Sequence, residues 1–128
     1  MTRVLLVEDS VDLLYVLQIE LEDMGYAVDA VSDAHAAIVA ARCTKPDVIV
    51  SDLGMPGMDG FELIRHLRQL PSLAFVPAIA LTGSGMDTEI QKALACGFTA
   101  HLMKPIEADG LQKCIEQLTA RQLQREAC

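Results

Sequence analysis

The sequence lacks the features that mark membrane, secreted or disulfide-bonded proteins. Its apolar runs are far too short to cross a bilayer. The first ten residues, MTRVLLVEDS, hold a very short apolar run followed by acids, whereas a signal peptide has a longer apolar core. No CxxC pair occurs, which predicts isolated thiols rather than a zinc or disulfide framework. The scattered cysteines are Cys43, Cys96, Cys114 and Cys128. We therefore expect a cytoplasmic protein.

Basic charge and aromatic residues are also scarce. Ten Lys and Arg stand against 18 Asp and Glu, which gives a formal net charge of −8. Binding to nucleic acid or to an anionic membrane surface needs basic side chains, so the composition argues against both as direct partners. Aromatic residues make up 4% of the chain and Trp is absent, so little is available to stack on a flavin ring. The clustered acids favour a cationic ligand instead.

Repeats, low-complexity tracts and Pro- or Ser-rich linkers are absent, so we expect one domain over residues 1–128. Short apolar runs predict five strands, several of them continuous, as is typical of strands covered on both faces. The predicted strands are 3–7, 27–31, 47–51, 77–81 and 100–103. The last helical pattern covers about 107–124, which leaves no sequence for an effector domain.

Apolar residues recur at helical spacing after each predicted strand. The first helix carries a stripe from Val11 to Met24 and is expected to end at Gly25. The fourth carries Leu94 in its stripe and ends at Gly97. Five strands alternating with five helices predict an α/β fold, a (βα)5 doubly wound three-layer sandwich of the flavodoxin-like kind. A closed barrel would need eight such units, for which the chain is too short.

Polar residues follow four of the predicted strands, at the sheet edge where open α/β sheets bind ligands. They are Glu8 and Asp9 after strand 1, Asp52 after strand 3, Thr82 after strand 4 and Lys104 after strand 5. In the strand order 2-1-3-4-5, strands 1 and 3 are neighbours and the three carboxylates converge. A divalent cation relieves their repulsion, and Mg²⁺ prefers carboxylate oxygens. Alone, each residue is explained by a helix cap, a turn or a solvated base; together they predict a site.

Four motifs at these strand ends resemble the receiver domain of two-component response regulators. They are LLVEDS at 5–10, SDLGMPGMDGFEL at 51–63, ALTGS at 80–84 and LMKP at 102–105. The resemblance covers nearly the whole chain, with every motif in the family's order. It implies a domain that takes a phosphoryl group from a histidine kinase or a histidine phosphotransfer protein and then switches partner binding. It further implies that the domain catalyses only its own phosphorylation and dephosphorylation, so we do not expect an enzyme.

The resemblance implies a role for each residue at the strand ends. Asp52 matches the phosphoacceptor, Thr82 the hydroxyl that contacts the phosphoryl group, and Lys104 the base that pairs with it. The bond between Lys104 and Pro105 matches one that is usually cis in the family. The implied ligands of Mg²⁺ (or Mn²⁺) are Glu8, through water, with Asp9, Asp52 and the backbone carbonyl of Gly54.

The resemblance also implies a switch and two positions that tune the phosphoryl lifetime. In the family, phosphorylation draws in the hydroxyl that Thr82 matches, and an aromatic side chain on strand 5 turns in behind it. That position holds His101 here, which predicts a weakened or altered switch on the face of helix 4, strand 5 and helix 5, where a downstream protein is expected to bind. The lifetime positions hold Gly54 and Ser84. Gly54 has no side chain to orient a water molecule, which predicts slow self-dephosphorylation.

The sequence leaves several alternatives open. The alternative to a stand-alone receiver is a receiver module cut from a hybrid sensor histidine kinase. A phosphatase with an aspartate nucleophile would carry DxDxT, whereas Asp52 is followed by Leu53 and Gly54 and the second acid is missing. A flavodoxin-like binding module would have a first loop rich in Thr, Ser and Gly, and EDSVD would repel a flavin phosphate. A receiver-like scaffold that is not phosphorylated is disfavoured because all five functional positions are occupied.

Overall fold

The computed structural model describes residues 1–127, and Cys128 lies outside this range. Side-chain burial is described for residues 1–122. Five parallel strands form one sheet in the order β2-β1-β3-β4-β5, which confirms the predicted (βα)5 fold. The strands are β1 Arg3–Val7, β2 Ala27–Val31, β3 Val48–Asp52, β4 Ala78–Thr82 and β5 Ala100–Met103. The helices are α1 Val11–Asp23, α2 Ala34–Cys43, α3 Gly60–Arg68, α4 Asp87–Cys96 and α5 Ala108–Ala127, and a short 3-10 helix covers Pro71–Leu73.

The sheet is covered on both faces, and alternate residues of each strand enter different cores. In β1, Leu5 and Val7 pack with α2, α3 and α4, whereas Val4 and Leu6 pack with α1 and α5. This alternation follows from the two-residue period of a strand. All residues of β3 and β4 are buried, as their continuous apolar runs predict.

Two strands begin and end one residue later than the sequence predicts. Strand β3 covers 48–52 rather than 47–51, and β4 covers 78–82 rather than 77–81. The carbonyl of Pro77 accepts a hydrogen bond from the amide of Ile49, but Pro77 has no amide hydrogen to donate and lies just before the first residue of β4. The shift places Asp52 and Thr82 inside the ends of their strands, where the sheet fixes their backbone.

The predicted helix stripes are partly wrong. Val11 is 67% exposed, and the fully buried residues of α1 are Leu17 and Leu21. At roughly 100° per residue, Val11 points about 80–120° away from those two leucines. Leu94 is 43% exposed, because it lies on the side of α4 opposite the buried Cys96. Among residues 1–127, no helix is both long and apolar enough to span a membrane.

Candidate functional site

A cleft of about 370 Å³ opens at the carboxyl ends of the central strands. The loop after β1 contributes residues 8–10 to its lining, and the end of β3 with the loop that follows contributes residues 52–54. Residues 83–84 after β4, Glu89 in α4 and Lys104 after β5 contribute the rest. The connections from β1 and β3 run to opposite faces of the sheet, so their loops separate at this edge and leave a crevice.

Three carboxylates gather within this cleft. Glu8, Asp9 and Asp52 each offer an oxygen, and these oxygens all lie within 4.8 Å of one another. Glu8 is fully buried and Asp52 is 5% exposed, whereas Asp9 is half-buried. Buried carboxylates at this spacing repel one another unless positive charge is present, and oxygen donors suit a hard divalent cation. The residues therefore fit a metal such as Mg²⁺.

Lys104 supplies positive charge to two of these acids. Its Nζ lies 2.9 Å from Oε1 of Glu8 and 3.3 Å from Oδ1 of Asp52. Its backbone amide donates to the carbonyl of Thr82 at 2.7 Å, which continues the pairing of β4 with β5 and fixes where the side chain starts. The peptide bond that follows, to Pro105, is cis.

The electrostatics of the cleft shift three pKa values. Burial raises the pKa of Glu8, although the amide of Ser10 and the ammonium of Lys104 oppose the shift. The pKa of Asp9 is lowered, chiefly through its contact with the carboxyl group of Asp52. Burial acts to lower the pKa of Lys104, but its contacts with the two buried carboxylates outweigh it and raise the value. Lys104 is therefore held as a cation.

The backbone around Asp52 is held on two sides. The amide of Gly54 donates to Oδ1 of Asp52 at 3.3 Å. The amide of Gly60, at the start of α3, donates to the carbonyl of Leu53 at 3.0 Å. The start of α3 lies so close to the end of β3 that a Cβ on Gly60 would lie 2.3 Å from the carbonyl oxygen of Asp52. The glycine therefore allows α3 to pack directly against the end of β3.

The remaining predicted residues lie in different places. Thr82 is fully buried, and its hydroxyl has no hydrogen-bond partner among the residues that the structure describes. Ser84 lines the cleft, and its Oγ accepts from the amide of Met86 at 3.2 Å. Gly54 also lines the cleft. His101 is exposed on β5, in register with Ala80, and is not part of the cleft lining.

Glu89 is the lining residue that the sequence did not indicate. It lies in the first turn of α4 and is half-buried. No motif marks it, and its entry into the cleft depends on the path of the loop that follows β4. The glycines at 83 and 85, which flank Ser84, mark this segment as a loop but do not indicate its path.

Residues 4–116 match the model of one protein family, the response regulator receiver domain. The match covers most of the chain, so the chain belongs to this family of two-component receiver domains.

Individual relatives agree with this assignment. Protein PilH of Pseudomonas aeruginosa is 32% identical over 94% of this chain and 99% of its own length. The chemotaxis response regulator CheY4 of Vibrio cholerae superposes with a TM-score of 0.88 at 33% identity, over 92% of this chain and 98% of that one. A sensor histidine kinase receiver domain from Pseudomonas aeruginosa PAO1, solved with magnesium coordinated in its active-site cleft, gives a TM-score of 0.85 at 29% identity, over 93% and 98%.

Proposed function

We propose that residues 1–128 act as one receiver domain that accepts a phosphoryl group on Asp52 and changes its partner binding in response. The donor is a phosphohistidine on a histidine kinase or a histidine phosphotransfer protein. The observation that carries this proposal is the environment of Asp52, which is nearly buried, lies 3.3 Å from Lys104 and shares its cleft with two further carboxylates. A solvated turn aspartate needs none of these neighbours.

In the proposed transfer, a carboxylate oxygen of Asp52 attacks the phosphorus atom. The P–N bond to the donor imidazole breaks, its electron pair stays on the nitrogen, and an acyl phosphate forms. Lys104, which lies 3.3 Å from Asp52, would pair with a phosphoryl oxygen, and the Gly54 amide, which donates to Oδ1 of Asp52, would donate a hydrogen bond to the phosphoryl group. The domain thus catalyses only its own phosphorylation and later hydrolysis, and we expect no turnover of p-nitrophenyl phosphate.

The acidic cluster would hold Mg²⁺ or Mn²⁺ in this reaction. Asp9, Asp52 and the backbone carbonyl of Gly54 are the proposed direct ligands. Glu8 would act through water, because its oxygens already meet Lys104 and the amide of Ser10. When bound, the cation supplies positive charge that offsets the charge of the phosphoryl oxygens. A related receiver domain holds magnesium in the corresponding kind of cleft, which supports this assignment.

The buried hydroxyl of Thr82 is the proposed switch element. A phosphoryl oxygen on Asp52 would give it the hydrogen-bond partner that the described residues do not provide. Its movement would reach the face formed by α4, β5 and α5, where we place the downstream partner. His101 on β5 is the proposed second switch residue. If His101→Ala binds the downstream partner as the unaltered domain does, with and without phosphate, this part of the proposal fails.

The phosphoryl group is proposed to be long-lived because Gly54 presents no side chain to water, and Ser84, which also lines the cleft, is the second proposed lifetime-tuning position. A Cβ on Gly54 would meet nothing within 4 Å, so Gly54→Asn fits without strain. We predict that this variant loses phosphate several-fold faster, because its amide can orient the attacking water. Gly110→Asn is the matched control, since that position in α5 is also open. Equal decay rates for both variants would refute the prediction.

The central experiment is incubation with Mg²⁺ and acetyl phosphate, followed by intact-protein mass spectrometry. We expect the mass to rise by one phosphoryl group, and Asp52→Asn to abolish the increase. Asp12→Asn is the control, because Asp12 is exposed in the first turn of α1 and outside the cleft. Phosphorylation that persists in Asp52→Asn would overturn the assignment of the acceptor.

A further inference from the structure

Glu89 stands apart from the other acids of the cleft. Glu8, Asp9 and Asp52 form the group whose oxygens converge within 4.8 Å, and Glu89 is not a member of that group. It comes instead from the first turn of α4 and lines the cleft together with Gly83 and Ser84. The cation proposed for the cleft would therefore be bound by these three carboxylates and not by Glu89. Glu89 is left to act on whatever molecule enters the cleft.

The effect of Glu89 on an incoming anion follows from the size of the cleft. A volume of about 370 Å³ corresponds to a sphere about 9 Å across, so the charge of a lining glutamate lies within about one Debye length of any occupant at physiological salt. A phosphodonor is itself anionic, and only Lys104 among the described lining residues is basic. Glu89 therefore opposes the entry of the group that Asp52 must receive.

We infer that Glu89 is a specificity-determining residue that discriminates among phosphodonors by charge, an inference that rests on the proposed function of Asp52. Repulsion by Glu89 weakens the binding and slows the reaction of a small anionic donor, because such a donor makes few other contacts that could offset the repulsion. A protein phosphohistidine gains binding energy from the surface that surrounds it, and this gain offsets the same repulsion. Glu89 thus lowers the absolute rate at which small, highly charged phosphate donors react, while a protein donor keeps a useful rate through its other contacts.

The acidic first turn of α4 gives an internal control for this inference. An acid there also stabilises the helix through the macrodipole, and Asp87 meets that description as well as Glu89 does. Asp87 is exposed and does not line the cleft. Glu89→Gln and Asp87→Asn remove the same charge from the same helix turn. A difference between the two variants therefore reports a role of Glu89 inside the cleft.

The test compares the rates at which both variants and the unaltered domain are phosphorylated by acetyl phosphate at saturating Mg²⁺. In that reaction Asp52 attacks phosphorus, the P–O bond to the acetyl group breaks, and acetate leaves with the electron pair. From Coulomb energies at this range, Glu89→Gln should react roughly three- to tenfold faster. The gain should be smaller for phosphoramidate, which carries less negative charge, and should shrink as salt is added. Asp87→Asn should keep the original rate.

Each outcome decides between the hypotheses. Unchanged or slower phosphorylation of Glu89→Gln, or an equal gain in Asp87→Asn, overturns the role of Glu89 while Asp52 still accepts phosphate. An equal gain with both donors also overturns it, since selection by charge must depend on donor charge. Glu89→Ala should repeat the gain of Glu89→Gln if charge is responsible. Absence of phosphorylation in every protein, with both donors, overturns this inference together with the proposed function.

Discussion

At the scale of single residues, Thr82 is held in an unfavourable setting. Its side chain is fully buried, and its hydroxyl finds no hydrogen-bond partner within the described part of the chain. A buried hydroxyl left without a partner costs about 1–3 kcal/mol of stability. A domain shaped for stability alone would place an apolar residue at this position. The hydroxyl is explained if a phosphoryl group on neighbouring Asp52 provides the missing acceptor.

We predict that Thr82→Val raises the free energy of unfolding by roughly 1 kcal/mol, because it removes the unpaired hydroxyl and keeps the branched shape. Urea denaturation measures this gain. The same variant should lose part of the extra stability that phosphorylation confers. Thr119→Val is the control: the hydroxyl of Thr119 already donates to the carbonyl of Ile115 at 2.8 Å, so no gain is expected. A Thr82→Val variant that is less stable than the unaltered domain would contradict this account.

Cys114 gives a pH-dependent prediction that does not involve the cleft. Burial raises the pKa of its thiol, although the charge of Arg121 partly opposes the shift. The stability that this shift contributes is present below the unfolded-state pKa and is lost as the pH rises through the folded-state pKa. Because the pKa of the thiol is higher in the folded protein than in urea, alkylation of Cys114 should reach its half-maximal rate at a higher pH in the folded protein. Peptide mass mapping measures this rate. Coincident profiles would show that burial does not act on this thiol.

At the scale of elements, the junction of β3 and α3 depends on one glycine. A Cβ at Gly60 would lie 2.3 Å from the carbonyl oxygen of Asp52 and 2.8 Å from the Cα of Leu53. Both are backbone atoms of the segment that ends β3, so they cannot swing aside as a flexible side chain would. Gly60 is therefore required both for packing α3 against this strand and for positioning Asp52.

We predict that Gly60→Ala destabilises the domain by about 1–3 kcal/mol or more, because the strand end or the helix must shift. Gly110→Ala should stabilise it by about 0.5–1 kcal/mol, since Gly110 lies in α5 with open space around its Cα. Denaturation curves of the two variants give opposite signs. A neutral Gly60→Ala would mean that the close approach is not required for stability.

The sequence predicts helices and strands well where the spacing of neighbouring residues determines their type and their ends. Parallel strands end at a common edge, so the sequence alone predicts that Asp52 and Lys104 lie together. The exposure of Leu94 could not be predicted, because it depends on which side of α4 faces the sheet. Glu89 was missed for a related reason: the loop before α4 has no repeating hydrogen-bond pattern, and its path sets where the first helical turn points.

At the scale of the whole molecule, the fold concentrates charge at one edge of the sheet. Two apolar cores cover both faces of the sheet, so strand ends are where polar side chains collect. Three carboxylates with oxygens within 4.8 Å share one nearby ammonium, that of Lys104, among the lining residues described. Such a cluster opposes folding unless positive charge is added, which couples occupancy of the cleft to global stability.

We therefore predict that Mg²⁺ raises the free energy of unfolding, because it binds the folded cluster and not the unfolded chain. At a free concentration tenfold above its dissociation constant, the increase is about 1.4 kcal/mol. Asp9→Asn should lose most of it, whereas Asp12→Asn, an exposed acid in the first turn of α1, should keep it. Urea titrations with Mg²⁺, compared with NaCl at equal ionic strength, measure the difference. If Mg²⁺ stabilises Asp9→Asn and Asp12→Asn equally, the cation acts by general screening and the cluster is not its site.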